Sequence, residues 1–364
     1  MFEIIFIAII ALYTFQTFLF IVGAKKKFPK INEDYLPTIS IIVAARNESN
    51  NIVDCMDSLS KLEYPINKME IILVNDHSTD DTGKLIKDFI KDKPSFKYLE
   101  PQAELGSLKG KTNALANAIK ISNGEVILTT DADCMVSPTW AKELASYYHK
   151  DVAMVCGYTN QVNDTLFGGM QSVDFIYLLM VAGGVMNLGK PLSCIGNNMS
   201  YRKSVYEEVG GYEALPFSVT EDFNLLMAIH YLKKYKIIYP MTPEGMVTSK
   251  PCPNWQSLIR QKKRWGVGGL KSDLAGYSVM ATGFIAHLMI LLTPFFFTPL
   301  SLYLSLFKFA IDFFALKGVH EKLKLKLLFK HFFAFEIYFI LYVLLLPLLT
   351  LPNQKVIWKG RVYN

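Results

Sequence analysis

Residues 125–134 read EVILTTDADC, and they place two aspartates directly behind a run of strand-forming side chains. The run 125-EVILTT-130 is rich in β-branched and apolar residues, which favours a β-strand. Asp131 and Asp133 follow it with one alanine between them. A D-x-D tripeptide is common by chance and also fits a solvated turn, so its meaning depends on the rest of the chain.

Four more apolar segments around this run have the length and composition of strands. Helical stretches separate most of them. An alternation of strands and helices, with strands that are apolar throughout, predicts an α/β fold with a mostly parallel sheet covered on both faces. The predicted strands are 39–45, 69–76, 96–100, 125–130 and 151–158, and the predicted helices lie at about 50–62, 79–92, 111–122 and 138–149.

Polar side chains follow three of these strands where each strand ends. Glu48 comes soon after the first strand, Asp76 ends the second, and Asp131 and Asp133 end the fourth. Ligands of parallel α/β sheets bind outside the carboxyl ends of the strands. The common position of these carboxylates predicts that the D-x-D belongs to a binding site rather than to a solvated turn.

The two ends of the chain have the composition of membrane segments. The 364 residues are 51% hydrophobic, and residues 4–24 carry no charge over a length that can cross a bilayer. No basic residues precede this run, so we predict an N-terminal transmembrane helix at 1–24 rather than a cleaved signal peptide. Four lysines in 25-KKKFPK-30 predict that the following domain lies in the cytoplasm.

The C-terminal part predicts two to three further transmembrane helices within 276–351. Its apolar stretches are 276–293, 296–316 and 331–351, and the segment 317–330 between the last two carries five lysines. Much of the net charge of +6 lies in such membrane flanks, which fits anionic lipid better than nucleic acid. Within 296–316, Lys308 and Asp312 stand four residues apart and can pair on one helix face.

A fifth apolar segment, 166–189, is also long enough to cross a membrane. A crossing there would put Asp131 and Glu221 on opposite sides of the bilayer. We therefore predict an interfacial helix beneath the globular domain. The five cysteines show no C-x-x-C spacing, so we predict free thiols and no zinc site.

Three further motifs have side chains suited to phosphate and hydroxyl chemistry. Residues 109-KGKTNAL-115 place Lys109 and Lys111 at a predicted helix start, where cations and free N–H groups suit a phosphate, although both could also be solvated lysines. In 220-TED-222, Thr220 fits a helix N-cap, and a carboxylate at that helix start could take a proton from a hydroxyl. In 261-QKKRW-265, Gln261, Arg264 and Trp265 share one helix face, while Lys262, Lys263 and Trp255 suit lipid headgroups.

Five pieces in this order resemble one known family: 44-AARNE-48, 74-VNDHSTDDT-82, 131-DAD-133, 220-TED-222 and 261-QKKRW-265. They look like the membrane-bound family 2 glycosyltransferases of the GT-A fold, in the Q-x-x-R-W branch with the cellulose, hyaluronan and ceramide glucosyl synthases. The resemblance covers about residues 37–270, and 358-WKGRVY-363 is similar to the ceramide-type end.

The resemblance implies a Rossmann-like GT-A domain at 37–250, an interfacial Q-x-x-R-W helix at 251–275 and a basic tail at 352–364. It implies a nucleotide-sugar donor, Mg²⁺ or Mn²⁺ as cofactor, and Asp222 as the base. Ser78 is assigned to structure because 78-STDD-81 fits a capping box. The implied site residues are Asp222, Glu221 and Arg264 for catalysis; Ala45, Asn47, Glu48, Asp76, Lys111, Asp131, Gln261 and Trp265 for the nucleotide-sugar; and Asp131 and Asp133 for the metal.

These features predict an inverting glycosyltransferase of the bacterial inner membrane. It would move a sugar from a nucleotide-sugar, with uridine as the nucleoside, to a membrane lipid or lipid-linked acceptor. One alternative is a processive polysaccharide synthase of the same family. Another, from a different class, is a catalytically inactive membrane scaffold that keeps the fold; the intact D-x-D, Asp222 and Q-x-x-R-W motifs argue against it.

Overall fold

Three parallel strands pair in register so that their carboxyl ends meet at one edge of a sheet. Strand β1 (Ile39–Ala45) pairs with β2 (Met69–Asn75), and Ala45 lies opposite Asn75. On its other side β1 pairs with β4 (Val126–Asp131), and Ala44 lies opposite Asp131. The segments behind these strands therefore begin at the same level of the sheet.

The computed structural model describes residues 1–216, 218, 220–352, 354–358 and 361–363. Across them the central sheet has seven strands in the order β3-β2-β1-β4-β8-β6-β9, and a smaller sheet has the order β5-β10-β7. The remaining strands are β3 Phe96–Leu99, β5 Cys134–Val136, β6 Val152–Cys156, β7 Thr159–Gln161, β8 Met199–Arg202, β9 Lys236–Ile238, β10 Val247–Ser249, β11 Val356–Trp358 and β12 Arg361–Tyr363.

The central sheet is mixed rather than wholly parallel. Strand β8 is antiparallel to both of its neighbours, β4 and β6. All five predicted strands are present, with bounds that differ by at most two residues, so the prediction of a mostly parallel α/β sheet is confirmed. Strand β8 is not among the five strands predicted for that sheet.

Helices cover the sheet in a unit made of residues 26–160 and 193–250. Its core consists of β1, β2 and β4 side chains packed with those of the helices and includes Trp140, which is fully buried. Helix α3 begins behind Asp81, whose side chain makes no capping hydrogen bond, so the predicted capping box is wrong. The helices of this unit are α2 Ile52–Ser60, α3 Thr82–Ile90, α4 Gly110–Ile121, α5 Trp140–Ala145, α7 Lys203–Glu208, α8 Gly211–Ala214 and α9 Glu221–Tyr231.

The second unit is helical and consists of residues 1–25, 161–192 and 251–364. Five of its helices are long and apolar enough to cross a membrane. The backbone of β11 and β12 forms an antiparallel pair within the predicted basic tail, of which residues 353, 359, 360 and 364 lie outside the described ranges. The helices are α1 Phe2–Ala24, α6 Leu166–Asn187, α10 Trp255–Gly269, α11 Leu274–Leu292, α12 Pro299–Lys322 and α13 Phe329–Thr350.

Helix α6 differs from its predicted role. Its residues belong to the helical unit, although the predicted domain 37–250 includes them. It packs against α1, α12 and α13, and most of its length is buried. A helix enclosed by other apolar helices meets little lipid headgroup, so the structure does not support the interfacial position predicted for 166–189.

Two glycines allow α1 and α6 to approach closely. A Cβ atom added to Gly184 would lie far inside van der Waals contact with the Phe20 carbonyl, and one on Gly23 would collide with the Gly184 backbone. The side-chain amide of Asn187 donates to the Gly23 carbonyl at 3.0 Å. Small residues at crossings bring helix backbones together in this way in membranes.

Charged side chains inside the helical unit are paired. The Lys308 ammonium lies 2.7 Å from Asp312 on the same helix and 2.8 Å from Glu336 on α13. The Tyr13 hydroxyl of α1 donates to Asp312 at 2.8 Å, and the Tyr177 hydroxyl of α6 lies 2.9 Å from that of Tyr13. The predicted pairing of Lys308 with Asp312 is therefore confirmed and extends to four helices.

The helix crossing gives a first prediction. Gly184→Ala should lower the free energy of unfolding by about 1–3 kcal/mol, because the added methyl group has no room against α1. The matched control is Gly283→Ala in α11, where an added Cβ meets no atom within 4 Å. Thermal unfolding of the purified protein in detergent measures both. Equal melting temperatures for the two variants would contradict the close crossing.

Candidate active site

The segment behind β1 is tied to the segment behind β2 by backbone and side-chain hydrogen bonds. The Arg46 guanidinium donates to the Asp76 carbonyl at 2.8 Å. The Asn47 backbone N–H donates to the Ser78 hydroxyl at 3.1 Å, and the Asn47 side-chain oxygen accepts from the Thr79 N–H at 2.8 Å. Asn47 and Ser78 therefore stabilise this edge directly, so Ser78 is structural as predicted, but through this bond rather than through a capping box.

Glu48 follows β1, Asp76 follows β2, and both residues are buried. The Asp76 backbone N–H donates to the carbonyl of Ala45 at 2.8 Å, which continues the strand pairing by one residue. The Glu48 carboxylate accepts from the Asn51 amide at 2.7 Å, and its backbone N–H donates to the Thr82 hydroxyl at 2.8 Å. Carboxylates held this firmly keep fixed directions toward a ligand.

His77 and Asn47 adopt the left-handed backbone conformation at the ends of their strands. Their φ angles are 51° and 54°, respectively. Asparagine tolerates this region, whereas histidine is strained there relative to glycine.

Asp131 and Asp133 flank the turn between β4 and β5. One Asp133 carboxylate oxygen lies 3.4 Å from the Cys134 sulfur, and the Cys55 sulfur lies 3.6 Å from the Asp131 carbonyl. Burial, with a smaller contribution from both aspartates, raises the pKa of the Cys55 and Cys134 thiols. The thiols therefore stay protonated, and the hard carboxylate oxygens are the metal ligands on offer. All five cysteines are free, as predicted.

Lys111 joins the D-x-D turn to the T-E-D segment. Its ammonium lies 2.7 Å from Asp131 and 3.1 Å from Glu221. Burial works to lower the pKa of Lys111, but the charges of Asp131, Glu221 and Asp222 outweigh it and raise that pKa. The two motifs begin 89 residues apart in the sequence, at Asp131 and Thr220. They therefore form one cluster around the Lys111 ammonium.

The Asp222 carboxylate is held by backbone N–H groups at the start of α9. It accepts from the Gly196 N–H at 2.7 Å and from the Phe223 N–H at 2.8 Å. Thr220 stands at the N-cap position, but its side chain makes no capping hydrogen bond. Thr220 is therefore the N-cap residue, as predicted, although its side chain does not cap the helix. Gly196 is a residue that the sequence did not assign, because a backbone donor leaves no side-chain signal.

The segment before β8 is anchored by Asn198, which is fully buried. Its amide donates to the carbonyls of Tyr158 at 2.7 Å and Gly245 at 3.0 Å, and its oxygen accepts from the Trp140 indole at 2.9 Å. These bonds fix the loop that carries Gly196. Asn198 is thus a positioning residue that sequence reasoning left without a role.

Gln261, Arg264 and Trp265 lie on α10, in the helical unit. Lys262 is buried and forms an ion pair with Asp174 of α6, so its predicted position among lipid headgroups is wrong. The Lys262 ammonium also lies 4.5 Å from the centre of the Trp265 ring. That ring stacks on Phe175, with centroids 5.6 Å apart.

The structure thus brings one subset of the predicted residues together. Lys111, Asp131, Glu221 and Asp222 form a continuous network, and Ala45, Asn47, Glu48 and Asp76 line the neighbouring strand ends. Within the described ranges, no three or more His, Cys, Asp or Glu side chains are grouped to hold a metal ion. The individual roles of the predicted site residues in binding and catalysis remain predictions.

Comparison with known families identifies the chain. The model of "Glycosyl transferase family group 2" matches residues 126–351, and that of "Glycosyl transferase family 2" matches residues 40–210. The chain belongs to this glycosyltransferase family. The predicted family is therefore confirmed, while the Q-x-x-R-W branch within it remains a prediction.

Two relatives illustrate the range of family 2. The chain is 29% identical over 251 residues to a poly-beta-1,6-N-acetyl-D-glucosamine synthase of Staphylococcus aureus, covering 67% of this chain and 57% of that protein. It is 27% identical over 261 residues to a beta-monoglucosyldiacylglycerol synthase of Nostoc sp., covering 68% of this chain and 52% of that protein. The chain spans little more than half the length of these curated relatives.

A solved structure supports the family fold. A mannosyltransferase of Pyrobaculum calidifontis, in complex with GDP-Man and Mn²⁺, superposes with a TM-score of 0.61 at 18% identity. The match covers 93% of this chain and 99% of that one. The predicted GT-A fold with N-terminal and C-terminal apolar helices is therefore confirmed.

The strained backbone at His77 gives a second prediction. His77→Gly should unfold with a free energy about 1 kcal/mol higher than His77→Ala, because only glycine relieves the left-handed strain. Both variants remove the imidazole, which is exposed, so the comparison isolates the backbone. Chemical or thermal unfolding in detergent provides the measurement. If alanine proves as stable as glycine, position 77 does not hold this conformation in solution.

Proposed function

We propose that this chain is an inverting, metal-dependent glycosyltransferase that moves a sugar from a nucleotide diphosphate donor, with uridine as the nucleoside, to a hydroxyl of a membrane lipid or lipid-linked acceptor. The observation that carries the proposal is the network of Lys111 with Asp131 and Glu221. It joins a carboxylate suited to a metal to a segment whose next residue, Asp222, is suited to act as a base. An inactive scaffold would have no need to keep the two together.

The donor set of the D-x-D turn fits Mg²⁺ or Mn²⁺. Mg²⁺ is usually held by one or two carboxylates, with substrate phosphates and water at its other positions. Asp131 and Asp133 would supply those carboxylates, because hard ions such as these prefer oxygen ligands to the neighbouring thiols. Bound there, the ion would neutralise charge that develops on the departing nucleotide diphosphate.

The strand ends beside the D-x-D turn would bind the nucleoside. Buried carboxylates at Glu48 and Asp76 can accept hydrogen bonds from base N–H and ribose O–H groups. The Asn47 side-chain oxygen is engaged by Thr79, so Asn47 and the buried Ala45 would contribute shape and backbone groups. This division makes Glu48 and Asp76 the residues that discriminate between nucleosides.

Asp222 would be the catalytic base. Two backbone N–H groups fix its carboxylate, and it is only partly buried, so an acceptor hydroxyl can reach it. The hydroxyl oxygen would attack the anomeric carbon as its proton passes to Asp222, while the bond from that carbon to the diphosphate oxygen breaks. Attack from the face opposite the leaving group inverts the anomeric configuration. Glu221 contacts the Lys111 ammonium and would keep that cation within the cluster.

The Q-x-x-R-W helix would help to bind the departing nucleotide diphosphate. A guanidinium such as that of Arg264 can bind a diphosphate through two parallel hydrogen bonds. Gln261 lies on the same helix face as Arg264 and would assist it. Because the Trp265 ring is stacked on Phe175 and close to Lys262, we expect it chiefly to orient Arg264.

The helical unit favours a lipid acceptor over a long polymer. A pore for a sugar chain needs a polar path, but the intramembrane charges Lys308, Asp312 and Glu336 pair with one another. The diacylglycerol glycolipid synthase of Nostoc is a relative in keeping with this choice. The polymer synthase of S. aureus keeps the processive alternative open, at a similar identity. In either case we expect a catalytic unit on the cytoplasmic side of a bacterial inner membrane.

The product distinguishes the two acceptor classes. Membranes that contain the protein should be incubated with a panel of radiolabelled nucleotide sugars and Mn²⁺, and then extracted with organic solvent. We expect label from one donor in the organic phase, running as a discrete glycolipid. Membranes that lack the protein are the control. Label that stays in a long water-soluble polymer would establish the processive alternative, and no transfer from any donor would favour the scaffold.

The base gives a fourth prediction. Asp222→Asn keeps the size of the side chain and an oxygen for one of the two backbone N–H groups, but removes the proton acceptor. Turnover should fall by about 10²–10⁴-fold, the usual contribution of a general base, while nucleotide binding survives. Glu213→Gln, an exposed acid on the same unit, is the matched control and should leave turnover unchanged. Near wild-type turnover of Asp222→Asn would mean that another residue is the base.

A further inference from the structure

We propose that Lys111 is an internal counter-cation that occupies Asp131 in the free protein and moves to the donor diphosphate when a divalent metal and nucleotide bind. The exchange would make metal and nucleotide binding cooperative. The inference rests on the proposed function, because it assigns a device to the same metal and nucleotide site. It concerns the interactions that stabilise that site before the nucleotide-sugar binds.

The geometry of the free protein gives the first step. Lys111 is the second residue of α4, and its ammonium bridges two segments that come from distant parts of the chain. It lies 2.7 Å from one carboxylate oxygen of Asp131 and 3.1 Å from Glu221. A divalent ion bound to that oxygen of Asp131 would compete with the ammonium for it. We expect Lys111 to leave when a metal binds there.

The charge of the cluster gives the second step. Asp131, Glu221 and Asp222 all act on Lys111 through their charges, and Asp133 lies two residues from Asp131. Like charges this close repel strongly, so a cation must lie among them for the edge to stay folded in place. In the free protein the Lys111 ammonium has this role. With metal bound, the divalent ion takes it over and the ammonium is released.

The path of the side chain gives the third step. Lys111 is 28% exposed and Asp131 is 35% exposed, so the pair is open to solvent on one side. Gly196 lies beside it, and a Cβ at that position would already stand 3.5 Å from the ammonium. The absent side chain leaves room for the four-carbon stem of lysine to swing. A diphosphate beside the metal offers the ammonium new anionic oxygens at the moment it loses Asp131.

Cooperativity follows from this exchange. Metal alone must displace Lys111 without giving it a new partner, so metal alone binds weakly. A nucleotide diphosphate supplies that partner, so each ligand strengthens the binding of the other by the same factor. The protein would therefore hold its carboxylates in place without metal and accept metal mainly together with the donor.

The test measures Mn²⁺ binding to the purified full chain in detergent, by electron paramagnetic resonance of the free ion, with and without UDP or GDP. The variants are Lys111→Met and Asp133→Asn. Lys109→Met is the matched control, because it removes a lysine from the same helix start that is exposed and has no ion pair among the described residues. For Lys111→Met we expect Mn²⁺ alone to bind on the order of tenfold more tightly than to the wild type.

In the same variant the gain in Mn²⁺ affinity caused by the nucleotide should shrink on the order of tenfold, because the diphosphate no longer receives the ammonium. Lys109→Met should match the wild type in both measurements. Unchanged or weaker binding of Mn²⁺ alone to Lys111→Met would overturn the inference. If Asp133→Asn still loses Mn²⁺ in that case, the metal site of the proposed function stands. If the wild type binds no Mn²⁺ even with nucleotide, both this inference and the metal site of the proposed function are wrong.

Discussion

The in-register parallel pairing of β1 with β2 and β4 is the constraint on which the candidate site depends. Opposite partners such as Ala44 and Asp131 end at one level of the sheet, so the segments that follow them must share one edge. A shift of one residue would turn every side chain of a strand to the other face. Both faces of these strands are buried and packed against helices, so a shift would disrupt packing on both sides. The core therefore fixes the position of the carboxylates.

Bringing carboxylates together creates an electrostatic cost that the fold has to offset. At the sheet edge the offset comes from Lys111 and from backbone N–H groups such as that of Gly196. In the helical unit the same problem has a different solution: Lys308 lies between Asp312 and Glu336, and Lys262 pairs with Asp174. These ion pairs of the helical unit are enclosed, whereas the Lys111–Asp131 pair at the sheet edge is partly open to solvent. The partly open pair can therefore be reached by a ligand.

The helical unit also changes the interpretation of the Q-x-x-R-W motif. Spacing alone puts Gln261, Arg264 and Trp265 on one face of a helix and treats the intervening lysines as surface residues. In the structure Lys262 is the most buried of the five and holds α10 against α6. The Q-x-x-R-W motif therefore contains candidate ligand-binding side chains and also the ion pair that orients its own helix.

The sequence by itself determined the elements and their type, because those depend on local periodicity: the strands near 39–45, 69–76 and 125–130, the apolar helices, and the carboxylates at strand ends. It also determined the family, through five short motifs in order. Only the tertiary structure decided how distant segments meet: β8 beside β4, the enclosure of α6, the meeting of Lys111 with Glu221, and the backbone N–H of Gly196 on Asp222. Those contacts join residues far apart in the chain, and they depend on packing and on backbone groups that every residue shares, so no local pattern encodes them.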